Sequence, residues 1–376
     1  MNRPHRLALA LQGGGVHAAF TWGVLDALLD QVAAGAIELV GISGASSGGV
    51  LAAALAYGCH EGAARPGPPT ARARRIAESA QVKMRELWEA TARVAFWSGN
   101  PFVAAQALTG GWNIDDSAAA RWSDVAGATA RVAESGIGGA LTAVLREVLP
   151  DMPAIFALPQ PGVPNLVIAA TDLGEGRRQL FVDGAVSPDA LRASTCRPAP
   201  FAAIEIDGHA YWDGSYLGNP PLTCLVDRLR QREAQDLLLV TINPVRREGP
   251  PPRTARQVAD RVNELTFNAA LVHEINTIET INRLIDAGMI GPPPPGQHPF
   301  HRIHLHRIEA DTEITKLGIY SKEAPAWDFL VYLRDLGRLS FERSWPELAA
   351  SLGQRSSWDT TALCDTILAR SAILPP

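Results

Sequence analysis

Three short segments carry the residue types that acyl transfer needs, and they lie far apart in the chain. The first is Gly44-Ala45-Ser46-Ser47-Gly48, a serine between small residues in the spacing GxSxG. A serine hydroxyl is presented for attack when it sits on a sharp turn between a strand and a helix, and Gly44 and Gly48 are the residues such a nucleophile elbow tolerates. Ser43 and Ser47 miss the central position. The second segment, Gly13-Gly14-Gly15, offers consecutive backbone N–H groups with no side chains over them. Aimed at a developing oxyanion, one such donor is worth about 3 kcal/mol of transition-state stabilisation. The third, Asp213-Gly214-Ser215, sets a carboxylate beside a glycine, where it can approach another turn and accept a proton. Each segment also has a plainer reading: a chance match in a chain rich in glycine and alanine, a simple turn, and a hairpin. The triplet is not a nucleotide loop, because GK[ST] is absent and the third glycine of GxGxxG is not met.

The elements around these segments suit them. The apolar run 7–11 ends in the triplet and is followed by the helical spacing of Phe20, Val24, Leu25, Leu28 and Leu29. A second apolar run, 37–42, meets the small-residue turn 43–49 and then an alanine-rich helix over 50–57. Two strand-turn-helix units in succession predict a parallel sheet with helices on its faces. Residues 59–70 carry three prolines and read as a loop, 71–95 as a helix, and 96–139 as a partly helical insertion or lid. Further strands are predicted at 165–171, 179–182, 203–206, 210–212 and 236–242, with helices at 188–195 and, starting on Pro220, at 220–231. A boundary is placed near residue 250. Beyond it the reading is a long helix over 255–287, a histidine-rich strand over 300–308, a helical region around 327–348 and a short terminal helix.

Taken together and in order, the three motifs resemble the patatin-like phospholipases, a family with a serine in GxSxG, an aspartate in DG[GA] and a glycine-rich oxyanion loop near the N-terminus. The similarity spans about residues 7–240. The stretches QGGGVHAAFTWGVLDALL and ASTCRPAPFAAIEIDGHAYWDGSYLGNPPL look like a bacterial branch labelled suppressors of the heat-shock sigma factor. The resemblance implies a three-layer α/β/α fold with a mostly parallel central sheet. It divides the chain into a catalytic domain over 1–250, with a helical insertion at about 60–150, and a mainly helical C-terminal extension over 251–376. It also implies a lipid acyl hydrolase in which Ser46 and Asp213 form a dyad, Gly13, Gly14 and Gly15 form the oxyanion loop, and no cofactor takes part. Two positions depart from the family pattern: His17 and Ala18 stand where a basic residue and glycine are common, and Ser215 ends the aspartate motif. Neither change removes a reacting group.

Two rivals stay open. An ordinary Ser-Asp-His hydrolase would need His209, His273 or His298, but only one strand-turn-helix unit precedes Ser46, too few for that fold. A regulatory or scaffolding protein could keep the fold without the chemistry. His298, His301, His304 and His306 lie close in sequence, and solvated histidines on a strand are favoured over a metal site. Trp88, Trp97, Trp112 and Trp122 could line an acyl channel or touch lipid, with packing the default; the same holds for Leu265, Phe267 and Leu271 as lid or covering layer.

Bulk composition sets the limits. The 376 residues, 47% apolar, can bury a substantial core, and the formal charge of -5 from 34 basic and 39 acidic side chains gives no general attraction to nucleic acid or anionic lipid. No nucleic-acid partner is expected, and any membrane contact would be local and peripheral. Four scattered cysteines without a CxxC pair favour a reducing compartment. The first eleven residues are too short an apolar run for a leader, and no stretch reaches the roughly 18 apolar residues of a spanning helix. The expected location is cytoplasmic; the oligomeric state is not legible.

Overall fold

The computed structural model describes residues 3–129, 137–198, 201–232, 234–247, 251–310, 312–361 and 363–364. Its centre is one eight-stranded sheet. The strands are β1 (His5–Leu11), β2 (Ile37–Ala45), β3 (Asn165–Asp172), β4 (Arg177–Val182), β5 (Ile204–Ile206), β6 (His209–Asp213), β7 (Asp236–Thr241) and β8 (His304–Glu309). Their order is β5-β6-β3-β2-β1-β7-β8, with β4 also paired to β3. The pairs β1–β2, β1–β7, β2–β3 and β7–β8 are parallel, and β3–β4, β3–β6 and β5–β6 are antiparallel.

Helices follow as α1 (Ala18–Ala33), α2 (Ser46–Ala64), α3 (Arg72–Trp97), α4 (Pro101–Thr109), α5 (Ala118–Thr129), α6 (Ile137–Val148), α7 (Met152–Phe156), α8 (Pro188–Thr195), α9 (Thr223–Gln231), α10 (Ala255–Asp286), α11 (Thr312–Thr315) and α12 (Trp327–Ser351). The alternation of side chains along a strand explains the two layers. Leu7, Leu9 and Leu11 of β1 join Leu238 and Val240 of β7 in the larger core, under α1, α2, α3 and α12. Ala8 and Ala10, with Leu237 and Leu239, face the opposite way onto Leu225 and Leu229 of α9 and Leu271 and Ile275 of α10. A strand buried on both faces has no polar alternation, which is why these strands read as continuous apolar runs. The fold is therefore a mostly parallel sheet between helical layers.

Several boundaries differ from the sequence reading. The loop expected over 59–70 begins later, because α2 runs on to Ala64 and no proline interrupts it before Pro66. The helix expected from Pro220 starts at Thr223: the amides of Leu222 and Thr223 donate at 2.5 and 2.6 Å to the Glu274 carboxylate of α10, and that remote acceptor sets the helix start. The strand expected over 300–308 narrows to β8, which extends the same sheet beside β7. The expected terminal helix lies outside the described residues.

Candidate active site

Register along β3 decides how the distant motifs meet. β4 takes the stretch 167–172 of β3 on one edge. On the other edge two strands follow one another: β2 comes up parallel, with Ala45 opposite Ala169, and β6 comes down antiparallel, with Asp213 opposite Ala170. The two C-terminal ends therefore meet head-on, and the residue after Ala45 is Ser46.

Ser46 occupies the left-handed region at φ 52°, the strained turn from which α2 begins directly. The turn is crowded. A Cβ on Gly44 would lie 2.7 Å from the Gly48 backbone, and one on Gly48 would lie 2.4 Å from the Leu11 carbonyl, so larger residues would push the elbow off the end of β1. Gly214 is likewise pressed onto β3, with the Ala169 carbonyl 2.0 Å from where its Cβ would stand. The decoy serines have other partners. Ser43 is buried and donates to the Pro221 carbonyl at 2.6 Å, and the Ser47 hydroxyl accepts the Gly14 amide at 3.0 Å.

Asp213 is 1% exposed. Burial raises its carboxyl above the ordinary range, against the lowering pull of the Ser215 amide at 2.8 Å, the Ser46 and Ser215 hydroxyls, and the Arg197 charge. The Ser46 hydroxyl is thus close enough to act on the Asp213 carboxylate. Ser46, Ser47, Gly13, Gly14, Gly15, Asp213 and Ser215 all border one cavity of about 560 Å³. Its walls are mostly apolar, among them Leu87, Trp88, Val94, Leu141 and Phe267. Among its described lining residues there is no histidine. His209 pairs instead with Asp172 at 3.0 Å, and His273 and His298 are exposed.

The glycine loop departs from a row of unblocked amides. Gly13 N–H donates to Asn219 Oδ1 at 2.7 Å, Gly14 N–H donates to Ser47 Oγ, and Ser46 N–H donates to Ser194 Oγ at 3.0 Å. Among the described residues the amides of Gly15 and Ser47 have no acceptor. A buried amide network holds the loop: Asn243 Nδ2 donates to the Gly13 carbonyl at 2.8 Å, and Gln12 Oε1 accepts from the amides of Ile242 and Asn243, both at 2.8 Å. Sequence reasoning missed Gln12, Asn219 and Asn243. The available signal was a polar amide side chain closing a buried apolar strand, as in ALQ before the triplet and TIN after β7.

The remaining candidates separate. Of the four tryptophans considered, Trp88 lines the cavity, Trp112 stacks on Phe329 and Tyr332, and Trp97 and Trp122 are 80% and 72% exposed. Phe267 lines the cavity, Leu271 is core and Leu265 is exposed. His304 and His306 bond to Asp236 at 3.2 and 3.1 Å, His301 bonds to the Ala234 carbonyl, and no metal-holding group of three such side chains occurs among the described residues.

The family model for patatin-like phospholipase matches residues 9–226, more than half of the chain. The chain belongs to the patatin-like phospholipase family. That membership makes it, at the level of the family, a lipid acyl hydrolase with a lipid substrate. The matched region of this patatin-like chain holds the glycine triplet, the GxSxG turn and the Asp-Gly-Ser motif. A search of curated proteins finds no match. Among solved structures, the crystal structure of VipD from Legionella pneumophila aligns with 89% of this chain and 67% of its own at 15% identity and a TM-score of 0.32. No described helix of the chain is long and apolar enough to cross a membrane.

Proposed function

We propose that this patatin-like protein hydrolyses carboxylic esters of lipids through a Ser46–Asp213 dyad and a covalent acyl-enzyme. The observation that carries the reading is the end-to-end meeting of β2 and β6, which sets the strained Ser46 turn and the buried Asp213 carboxylate on one mostly apolar cavity. Asp213 accepts the Ser46 proton as Oγ attacks the acyl carbon, then returns it to the departing alcohol; water repeats the cycle and releases the acid. The raised carboxyl suits this work, because a base nearer neutrality both accepts and returns a proton readily.

For the oxyanion, the two amides without an acceptor, Gly15 and Ser47, are the foremost donors, supported by the positive end of α2. Gly14 can join them if the Ser47 hydroxyl rotates away, whereas Gly13 serves to anchor the loop through Asn219. The cavity wall from α3 and α6 would take the acyl chain. Next to that wall, Phe96 and Trp97 are 66% and 80% exposed between cavity-lining Ala95 and Ser98, which supports peripheral contact with a lipid surface.

The test is an ester panel of graded acyl length with wild type, Ser46→Ala and Asp213→Ala. Turnover should fall by about 10³-fold or more in both variants, and a fluorophosphonate probe should label wild type but not Ser46→Ala. Equal turnover in all three proteins would overturn the dyad. Absence of both labelling and turnover in wild type would favour a scaffold that keeps the fold alone.

A further inference from the structure

The chain beyond residue 250 reaches the glycine loop at three points, all from the short segment 318–322. Ser321 Oγ and His17 Nε2 stand 2.7 Å apart, and because the Ser321 hydroxyl donates to the Gly318 carbonyl at 2.9 Å, it accepts from the ring. The Lys322 carbonyl lies 2.5 Å from where a Cβ on Gly15 would stand, so loop and segment touch backbone to backbone. The third contact runs through side chains. The Lys322 ammonium donates at 3.0 Å to Asn243 Oδ1, and Asn243 Nδ2 donates at 2.8 Å to the Gly13 carbonyl.

That chain of bonds ends on the peptide joining Gly13 to Gly14. A peptide unit is conjugated, so a donor on its carbonyl draws electron density from its nitrogen and strengthens the N–H on the far side. A cation at the head of the chain adds to this, because hydrogen bonds in series polarise one another. The peptide is also held from a second segment: Asn219 accepts the Gly13 amide at 2.7 Å, and its Nδ2 reaches the same carbonyl at 3.4 Å. The acids near Lys322 are matched elsewhere. Glu323 pairs with Arg197 at 2.8 Å, Asp260 with Arg247 at 2.8 Å, and Glu264 with Arg247 and Arg261 at 3.1 and 3.0 Å. The hydrogen bond of Lys322 goes to a neutral amide that leads to the loop.

We propose that Lys322 is a positioning residue for the oxyanion loop: acting through Asn243, it fixes and polarises the Gly13–Gly14 peptide, so that the Gly14 N–H is a strong donor to the developing oxyanion once the Ser47 hydroxyl turns aside. The inference rests on the hydrolase reading above and deepens it. It gives the C-terminal region a part in the chemistry, since Lys322 and Asn243 both lie beyond the span 9–226 that the family model matches. A strengthened donor acts more on the oxyanion than on the neutral ester, so its effect falls on kcat rather than KM.

The experiment compares Lys322→Met and Lys322→Arg with wild type on a water-soluble short-chain ester. Lys322→Met should lower kcat by about 10-fold and leave KM within about 2-fold, a smaller loss than the roughly 10²-fold or more caused by removing an oxyanion donor itself. Lys322→Arg should restore most of the rate. Burial lowers the Lys322 ammonium below the ordinary lysine range, so wild-type kcat should fall as rising pH removes that charge; the limb should vanish in Lys322→Met and move upward in Lys322→Arg. The groups facing Lys322 do not supply this limb: Asp260, Glu264 and Glu323 stay ionised there, Arg197 stays charged, and His17, held well below its usual range by burial and by Lys322, stays neutral. In a cycle with Asn243→Ala, the double variant should lose no more than Asn243→Ala alone. The amide NMR signal of Gly14 in glycine-labelled protein reads the contact without turnover: it should follow the lysine titration in wild type and not in Lys322→Met. Wild-type kcat in Lys322→Met, equal losses in the Met and Arg variants, additive losses in the cycle, or a Gly14 signal indifferent to the lysine charge would overturn the proposal. Should Lys322→Met fail to fold, the position of the limb in Lys322→Arg decides. A Gly14 signal that follows Lys322 in a protein cleaving no ester would instead sink the hydrolase reading and leave the loop anchor standing.

Discussion

Ser46 and Asp213 are each held in a state that an isolated residue avoids. The serine backbone sits at positive φ, and the carboxylate is removed from water. Since burial raises the Asp213 carboxyl, and only its ionised form can take a proton, kcat/KM should fall as pH drops through a limb above the ordinary carboxylate range. The same shift has a stability consequence of opposite direction. A carboxyl raised in the folded state contributes most below its unfolded value and loses that contribution as pH rises through the folded value. Asp213→Asn, which keeps an acceptor for the Ser215 amide, should therefore melt higher than wild type at pH 7–8, with the gap closing near roughly pH 4, even as activity is lost. A pH-rate profile with its acid limb at roughly pH 4 or lower, together with an Asn variant that melts lower at pH 8, would contradict this account. At this scale the sequence was informative about the motif residues, because the small residues around Ser46 and Asp213 have few other uses in that order. It was silent on Gln12, Asn219, Asn243, Arg197 and Lys322, whose value comes from partners remote in the chain.

Elements were legible where periodicity is strong and one breaker ends the run. α8 matches its expected limits of 188–195, and β1 and α10 match theirs within two residues. The start of α9 was misread because its N-terminal amides are capped by Glu274 from α10, an interaction that no local pattern contains. Contact between α1 and α12 is hidden for the same reason. A Cβ on Gly23 would lie 1.8 Å from the Arg334 carbonyl, and one on Gly337 would lie 2.0 Å from the Phe20 carbonyl, so the two helices touch backbone to backbone at reciprocal glycines. Gly337→Ala should destabilise the protein by about 3 kcal/mol in urea titrations, because neither backbone can yield. Gly111→Ala, which meets nothing within 4 Å, should change stability by roughly 0.5 kcal/mol or less. Similar midpoints for the two variants would argue against close helix contact.

At the scale of the molecule, the chain beyond residue 250 does not stand apart from the sheet. β8 pairs in parallel with β7, Asp236 of β7 bonds His304 and His306, and Asn263, Phe267, Ile319, Lys322 and Glu323 border the same cavity as Ser46. The exposed pair Phe96 and Trp97 lies beside that cavity, so Phe96→Ser/Trp97→Ser should lower binding to phosphatidylcholine vesicles by about 10-fold in sedimentation assays, while a water-soluble short-chain ester serves as the reference for intact chemistry. Unchanged sedimentation would remove this surface from consideration. By itself the sequence determined the alternation of buried strands and helices, the elbow at Ser46 and the class of fold, since these follow from side-chain period and from backbone sterics within a few residues. Only the tertiary structure decided that β2 and β6 share one edge of β3 and meet end to end, that two glycine amides are already occupied, and that charged residues from distant segments line the same cavity as Ser46. The physical reason is range: turns and helices answer to neighbours along the chain, whereas register, desolvation and charge pairing are set by groups that only packing brings together.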